Sequence, residues 1–557
     1  MIAYITLTLF VIALLGSINI GIKKDRLFSF LMFILLCGIF AFFGLDFAAG
    51  KDSVLAFVWN SSPGGDIKID IISNAYNYNL ILPFFTITMF AVWQNIILRF
   101  EERRSAYNAA LVFNLTALIV MITGNNFVQL LFALFVIDIL ALFLIKDMEA
   151  YRRYILLNIF ADMFIFTVMA IINCKVDSLD IREILRYKQI GHHLDFIAIS
   201  GLSAVFMKIG LFAFHIGGVG LQNIRLHRLQ NVWFLSSPIS GLIMLMKFHV
   251  LWNSSVYFAP YLHSICILSM FGGFLGSMCT KHFKLKIIYW QMMFGAILVE
   301  LLCFRGFEWS KEFSLLLLQM YVLAEALYLI YYYTGRCNLI AEIIKRHSNN
   351  ETALNMAFVL LFLAFIAITG TLTALYNRGN RYYIWTFAVL YTISLTVSIR
   401  QMIFLPRSNI ITAKAPSVKM HWILFFVLGS LSAFVLQPKQ LLAPAVLGFT
   451  VAFLFLCRYM PAAKQIAFYG RYKNRDYIGM IYKFLFIKPL RLCGKFLWIL
   501  VDRLLVEKII IGVSLTLAQK AIVGFRRAHQ STTMGQLMIV FILVGLICVA
   551  FSYGGYK

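Results

Sequence analysis

Charge is what this sequence has least of. Asp, Glu, Lys and Arg make up 13% of its 557 residues, against about 25% in an ordinary soluble domain, which excludes a large water-facing surface. Acidic side chains are the scarcer sign, 24 against 49 Lys and Arg. The ten prolines and 34 glycines break the chain so seldom that apolar runs follow one another from end to end and leave no stretch for a soluble domain. The nine cysteines include no CxxC pair and no Cys/His cluster at metal-ligand spacing, so no Fe–S, haem or zinc site is expected. Most fall in or beside apolar runs, where a free thiol behaves as a small hydrophobe. The opening MIAYITLTLFVIALLGSINIGIKKDR carries its positive charges after the apolar run and none before it. It is expected to be a first spanning helix rather than a cleaved signal.

What is present is hydrophobicity, 61% of residues. Spans of about 20 apolar residues fall near 2–21, 27–45, 78–98, 108–123, 126–145, 154–173, 197–216, 232–252, 256–278, 285–304, 313–334, 354–375, 381–404, 420–436, 440–457 and 535–553. That is about sixteen spans, each a helix because lipid offers the backbone no hydrogen-bond partner. The expected fold class is an all-α polytopic membrane protein.

The formal charge of +25 would suggest nucleic acid in a soluble protein, but no basic stretch forms a groove-reading element, and no nucleic-acid partner is expected. The cations sit in short loops instead. IKKDR, RFEERR, KDMEAYRR and TKHFKLK follow spans one, three, five and nine, and Arg225 and Arg228 follow span seven. The alternate loops are neutral or acidic, as in 46–77 with Asp46, Asp52, Asp66 and Asp70 against Lys51 and Lys68. The positive-inside rule then puts the N-terminus outside and the basic loops in the cytoplasm against anionic lipid. The phase holds over ten spans and first breaks at the loop with Arg378 and Arg381. Segment 458–534 differs, because Lys488, Arg491, Lys495, Asp502, Arg503, Glu507 and Lys508 interrupt its apolar pieces. It reads as an amphipathic segment lying along the membrane, with additional spans as the alternative.

Four ionisable residues sit deep in apolar runs: Asp138 in FALFVIDILALFLI, Asp162 in NIFADMFIF, Lys208 in SAVFMKIGLFAF and Glu325 in YVLAEALYLI, with His215 two turns beyond Lys208. Each costs at least ~2.5 kcal/mol on insertion scales, which makes it a functional candidate. A carboxylate and an ammonium in neighbouring helices hold each other's charge and exchange a proton when the pairing breaks. The plainer alternative is a static interhelical pair that fixes register, and for His215 a satisfied polar contact. Lys247, His249, Lys286 and Glu300 lie near span ends, where snorkelling to the interface accounts for them.

In order along the chain, FVIDILALFLI with Asp138, AYRRYILLNIFADMFIF with Asn158 and Asp162, AVFMKIGLFAFHI with Lys208, HFKLKIIYWQMMFGAIL with Lys286 and TVSIRQMIFLP with Arg400 resemble the antiporter-like family of respiratory NADH:quinone oxidoreductase membrane subunits. The segment 57–90 is similar to that family's outer hairpin and third helix, and DYIGMIYKFLFIKPL with FLWILVDRLLVEKIIIG is similar to the lateral helix of its largest member, called subunit L or subunit 5. The resemblance places Asp138 at the family's glutamate and Lys208 at the lysine of its broken seventh helix. It departs elsewhere: the eighth-helix histidine position falls on Trp233, the eleventh-helix histidine and lysine positions fall on Tyr321 and Glu325, and the twelfth-helix lysine corresponds at best to Arg378. Trp cannot titrate and Arg does not deprotonate, so the row of exchangeable groups is interrupted.

The resemblance implies two inverted five-helix repeats with broken helices, 108–252 and 256–404, flanked by N-terminal helices and hairpin in 1–107, further spans in 405–460, a lateral segment in 461–534 and a last span in 535–557. It implies a proton relay through Asp138, Lys208, Asp162, Lys286, Glu325 and Arg378, with no redox centre in this chain. NADH, FMN, Fe–S and quinone would belong to partner subunits of a respiratory complex, in a bacterial inner membrane or a mitochondrial one. A related large subunit of a multisubunit cation/proton antiporter, a conduction-impaired structural paralogue and an unrelated solute transporter are the alternatives.

Overall fold

Apolar runs without a polar stripe must be buried or face lipid on every side, and the structure shows how the runs divide between those two fates. It is a computed structural model that describes residues 2–18, 25–49 and, with short gaps, 53–334, together with Ile368, Leu390, Tyr391 and Lys520. The chain divides into two compact units, Met1–Asp476 and Tyr477–Lys557, and Lys520 is the only described residue of the second. The expected spans beyond 334, the lateral segment, Arg378 and Arg400 lie outside the described residues.

Helices α1 (Ile2–Ile18) and α2 (Asp25–Ala49) lead into an antiparallel hairpin, β1 (Ser53–Ser62) and β2 (Gly65–Ser73), with a register irregularity between Val58 and Asn60. Then come α3 (Ala75–Leu98), α4 (Arg104–Thr123), α5 (Phe127–Ile145), α6 (Met148–Val176) and the short α7 (Ile181–Arg186). The broken region follows: α8 (Leu194–Ile209), α9 (Ile216–Gly220), a 3-10 turn at Leu221–Asn223, α10 (Leu226–Leu235) and α11 (Ser237–Asn253). Helices α12 (Phe258–Cys279), α13 (Phe283–Cys303) and α14 (Ser310–Thr334) complete the described part. Among the described residues, eight helical stretches are long and apolar enough to cross a membrane, and Ile2–Ser17 is a shorter apolar helix. The protein is therefore a multi-pass helical membrane protein.

Burial sorts these helices into layers. The stretch 283–302 of α13 is 100% buried, whereas 27–47 of α2 is 28% buried and α6 33%, so α13 is central and α2 and α6 are peripheral. The outward faces of α5 and α6 carry Phe132, Phe135, Phe143, Ile159, Phe160 and Met163, which suits lipid. Small residues let the central helices meet closely: a Cβ at Gly276 of α12 would run into the Tyr289 ring of α13. The hairpin is tied to the bundle by Gln129, which accepts from the Asp70 amide at 2.8 Å and donates to the Asp70 carbonyl at 2.9 Å. Asn126 caps α5 by accepting from the Val128 amide at 2.9 Å.

Two expected spans are interrupted. The one read over 197–216 stops at Ile209, because Gly210 takes φ +75°, a left-handed conformation open to glycine. The freed backbone is caught by α12, where Ser269 Oγ accepts from the Phe212 amide at 2.9 Å. The one read over 232–252 is divided at Ser236. Pro238 opens α11, and its ring cannot be accommodated by a continuous helix.

Candidate functional site

The site forms where α5, α6 and α8 meet the start of α11. Asp138 lies past the middle of α5, Asp162 in the middle of α6 and Lys208 one residue before the end of α8, each exposed by 2% or less. Lys208 Nζ stands 3.0 Å from Asp138 Oδ2 and 2.7 Å from Asp162 Oδ1. The first contact is also a well-aligned hydrogen bond, whereas the second is a close ion pair without that alignment. Lys208 further donates to Ser237 Oγ at 3.4 Å, and Ser237 donates onward to Asn158 Oδ1 at 2.9 Å. That chain has a fixed polarity, from ammonium through hydroxyl to amide oxygen, and leaves the Asn158 amide nitrogen for other company.

The local sequence explains the placement. Gly210 ends α8 just after Lys208, so the ammonium belongs to a helix C-terminus, where a positive charge is favoured by roughly 0.3–1 kcal/mol. Two carboxylates share one ammonium, so the fully ionised cluster carries a formal charge of −1, and one added proton neutralises it. Groups this close take up and release protons as a set rather than singly. A cavity of about 40 Å³ opens beside Lys208, its wall mostly apolar but including Tyr154, Asn158, His215, Trp233 and Gln291, and a space of that size with polar groups on its wall has room for water.

The remaining candidates are spread apart. Glu325 on α14 is fully buried and its Oε2 accepts from Gln94 Nε2 of α3 at 2.8 Å. Lys286 is buried on α13 and does not line the cavity. His215 lies between the Phe212 and Tyr289 rings, with centroids 6.4 and 5.9 Å away. Among the described residues, no group of three His, Cys, Asp or Glu side chains could hold a metal ion.

Several residues behave differently from their sequence reading. Lys247, Lys286 and Glu300 do not snorkel: they are 6%, 2% and 3% exposed. The Lys247 ammonium donates to the Gly124 carbonyl at the end of α4, and Glu300 pairs with His263 of α12 at 2.9 Å. Arg228 is no solvated loop cation either. It is 4% exposed, its Nη1 donates to the Leu144 and Ile145 carbonyls at 3.2 and 3.1 Å, and its guanidinium lies 5.2 Å from the Tyr107 ring. The carbonyls at a helix C-terminus lack intrahelical partners, and a cation from a neighbouring helix satisfies them. Ser237 and Gln94 escaped the sequence reading altogether, since a lone Ser or Gln in an apolar run carries no signal until its neighbour across the helix is known.

The class is thus a polytopic helical membrane protein with helices broken beside a buried ion cluster. Compared with solved structures, the chain is similar to a chain of the Mrp complex from Dietzia sp. DQ12-45-1b, at 14% identity and TM-score 0.59, over 100% of this chain and 63% of that one. It is similar at 13% identity and TM-score 0.59 to a chain of respiratory complex I from Thermus thermophilus with bound aureothin, over 80% of this chain and 99% of that one. This chain thus spans less than two thirds of the Mrp-complex chain, and at these identities the likeness is one of fold. By sequence, no family model and no curated protein matches.

Proposed function

We propose that this protein is a proton-translocating, antiporter-like membrane subunit of an NADH:quinone oxidoreductase, in which the Asp138–Asp162–Lys208 cluster holds and hands on protons. The observation that carries the proposal is the Lys208 ammonium set between two carboxylates at 3.0 and 2.7 Å, with all three side chains buried. A conformational or charge change in a neighbouring subunit separates Lys208 from Asp138; the ammonium, desolvated and less compensated, then gives up its proton to water in the adjoining cavity. Asp162 keeps the pair from being all-or-none, since Lys208 retains one partner while it loses the other. Redox chemistry is assigned to partner subunits, and the chain sits among other membrane subunits and anionic lipid, with its N-terminus outside the cytoplasm.

The large subunit of a multisubunit cation/proton antiporter is the second reading. It is favoured by the coverage of the Mrp-complex chain, which extends over 100% of this chain against 80% for the complex I chain. Gentle detergent extraction separates the two, since co-purified NADH-oxidising subunits support the first and small antiporter subunits the second. For the relay itself, Asp138→Asn or Lys208→Met is expected to lower proton transport in energised vesicles without preventing assembly. Unchanged transport in both would remove the assignment.

A further inference from the structure

Trp233, which lines the cavity beside Lys208, is linked toward Glu325 by a run of ring contacts. On the cavity side, Trp233 Nε1 and Gln291 Nε2, on residues that line it, are buried donors without a hydrogen-bond partner among the described residues. A space of about 40 Å³ beside such donors has room for water, which accepts from more than one donor at once. On the other side, Glu325 accepts from Gln94 through one oxygen and also engages the side chain of Tyr321. Among the described residues, the contacts that run from one toward the other are aromatic. Trp233 meets Phe234 edge to face at 4.6 Å and 78°, and Phe234 meets Tyr321 edge to face at 5.2 Å and 88°. Phe90 closes on Tyr321 from α3 at 5.8 Å and 84°. The three rings are 5%, 2% and 2% exposed, and Tyr321 stands one helical turn before Glu325.

We propose that Trp233, Phe234 and Tyr321 form a dry partition between the hydrated Lys208 cavity and the Glu325 pocket, so that a proton passes from one to the other only when Phe234 turns aside. The proposal rests on the relay reading above. A proton needs water or a titratable group at each step, and an apolar constriction stops it by excluding water. The Trp233 ring can donate a hydrogen bond but cannot take up a proton and pass it on. The backbone around the rings is fixed: Gln230 donates to the Ala324 carbonyl at 2.6 Å and Asn231 to Tyr107 Oη at 2.9 Å. Both bonds tie α10 to its neighbours just before Trp233. The moving part is then the side chain of Phe234, held by two edge-to-face ring contacts that are weak enough to break during turnover.

The test is passive proton flux in proteoliposomes that hold the full chain with its co-extracted membrane partners and a trapped pH-sensitive dye. Phe234→Ala is expected to raise the flux about tenfold by letting water bridge the two sides, and adding Lys208→Met is expected to return it to the wild-type level. Trp233→His, which puts a titratable ring into the partition, is expected to leak as well, while Trp233→Phe is not. Wild-type flux in a folded Phe234→Ala protein overturns the partition, as does a leak that persists with Lys208→Met. Should Phe234→Ala not fold, Trp233→His decides by the same two outcomes. Driven transport in Asp138→Asn, which leaves all three rings in place, reports on the relay alone, so the two ideas fail separately.

Discussion

Asp138 and Glu325 are both buried in helices, that of Asp138 the more apolar, but their company differs. Asp138 faces an ammonium that Asp162 and Ser237 also engage, next to a cavity with room for water. Glu325 faces the amide of Gln94 and the ring of Tyr321 within an aromatic wall, and no cation meets it among the described residues. The first arrangement can change its charge by rearranging partners. The second can only hold what it has until something reaches it. A deep carboxylate in a membrane helix is thus not one kind of site: whether it exchanges protons depends on a breakable counter-charge and a hydrated neighbour, and both are supplied by other helices.

The comparison breaks most easily at Lys208. Lys208→Met leaves two carboxylates buried against each other, and a loss of about 3–5 kcal/mol is expected in detergent unfolding, together with loss of transport. Asp138→Asn is expected to cost less, about 1–3 kcal/mol, because Asp162 still holds the ammonium. Comparing it with Asp162→Asn shows whether the aligned bond to Asp138 or the closer contact to Asp162 matters more for transport. Ser237→Ala should cost about 1 kcal/mol by leaving Asn158 Oδ1 without its donor, with a smaller fall in transport. The mildest outcome is expected for Glu325→Gln, below about 0.5 kcal/mol, since an amide oxygen still accepts from Gln94. A Glu325→Gln protein as unstable as Lys208→Met would mean that Glu325 has a counter-charge of its own, and the contrast would collapse.

Much of this was legible one helix at a time. The α5, α6 and α13 runs announce themselves by length and apolarity, and Asp138, Asp162 and Lys208 stand out because charge in such a run is costly. The break after Lys208 is marked by Gly210, although the periodicity of the run continued through it to residue 216. The fates of Arg228 and Lys247 were hidden, because a cation near a span end looks the same whether it reaches headgroups or a neighbouring helix terminus. Trp233 could be read as a residue that does not titrate, but not as one face of a wall, since Phe234 and Tyr321 are far apart in sequence.

The sequence by itself determined that the chain crosses a membrane many times as helices and that a few buried charges interrupt the apolar runs, because the cost of exposing backbone or charge to hydrocarbon is a property of each segment alone. Only the tertiary structure decided which charges meet. It put one ammonium between two carboxylates, gave Glu325 an amide instead, and turned Arg228 and Lys247 toward helix ends, since interactions of a few ångströms depend on how separate helices pack and not on what any one of them contains.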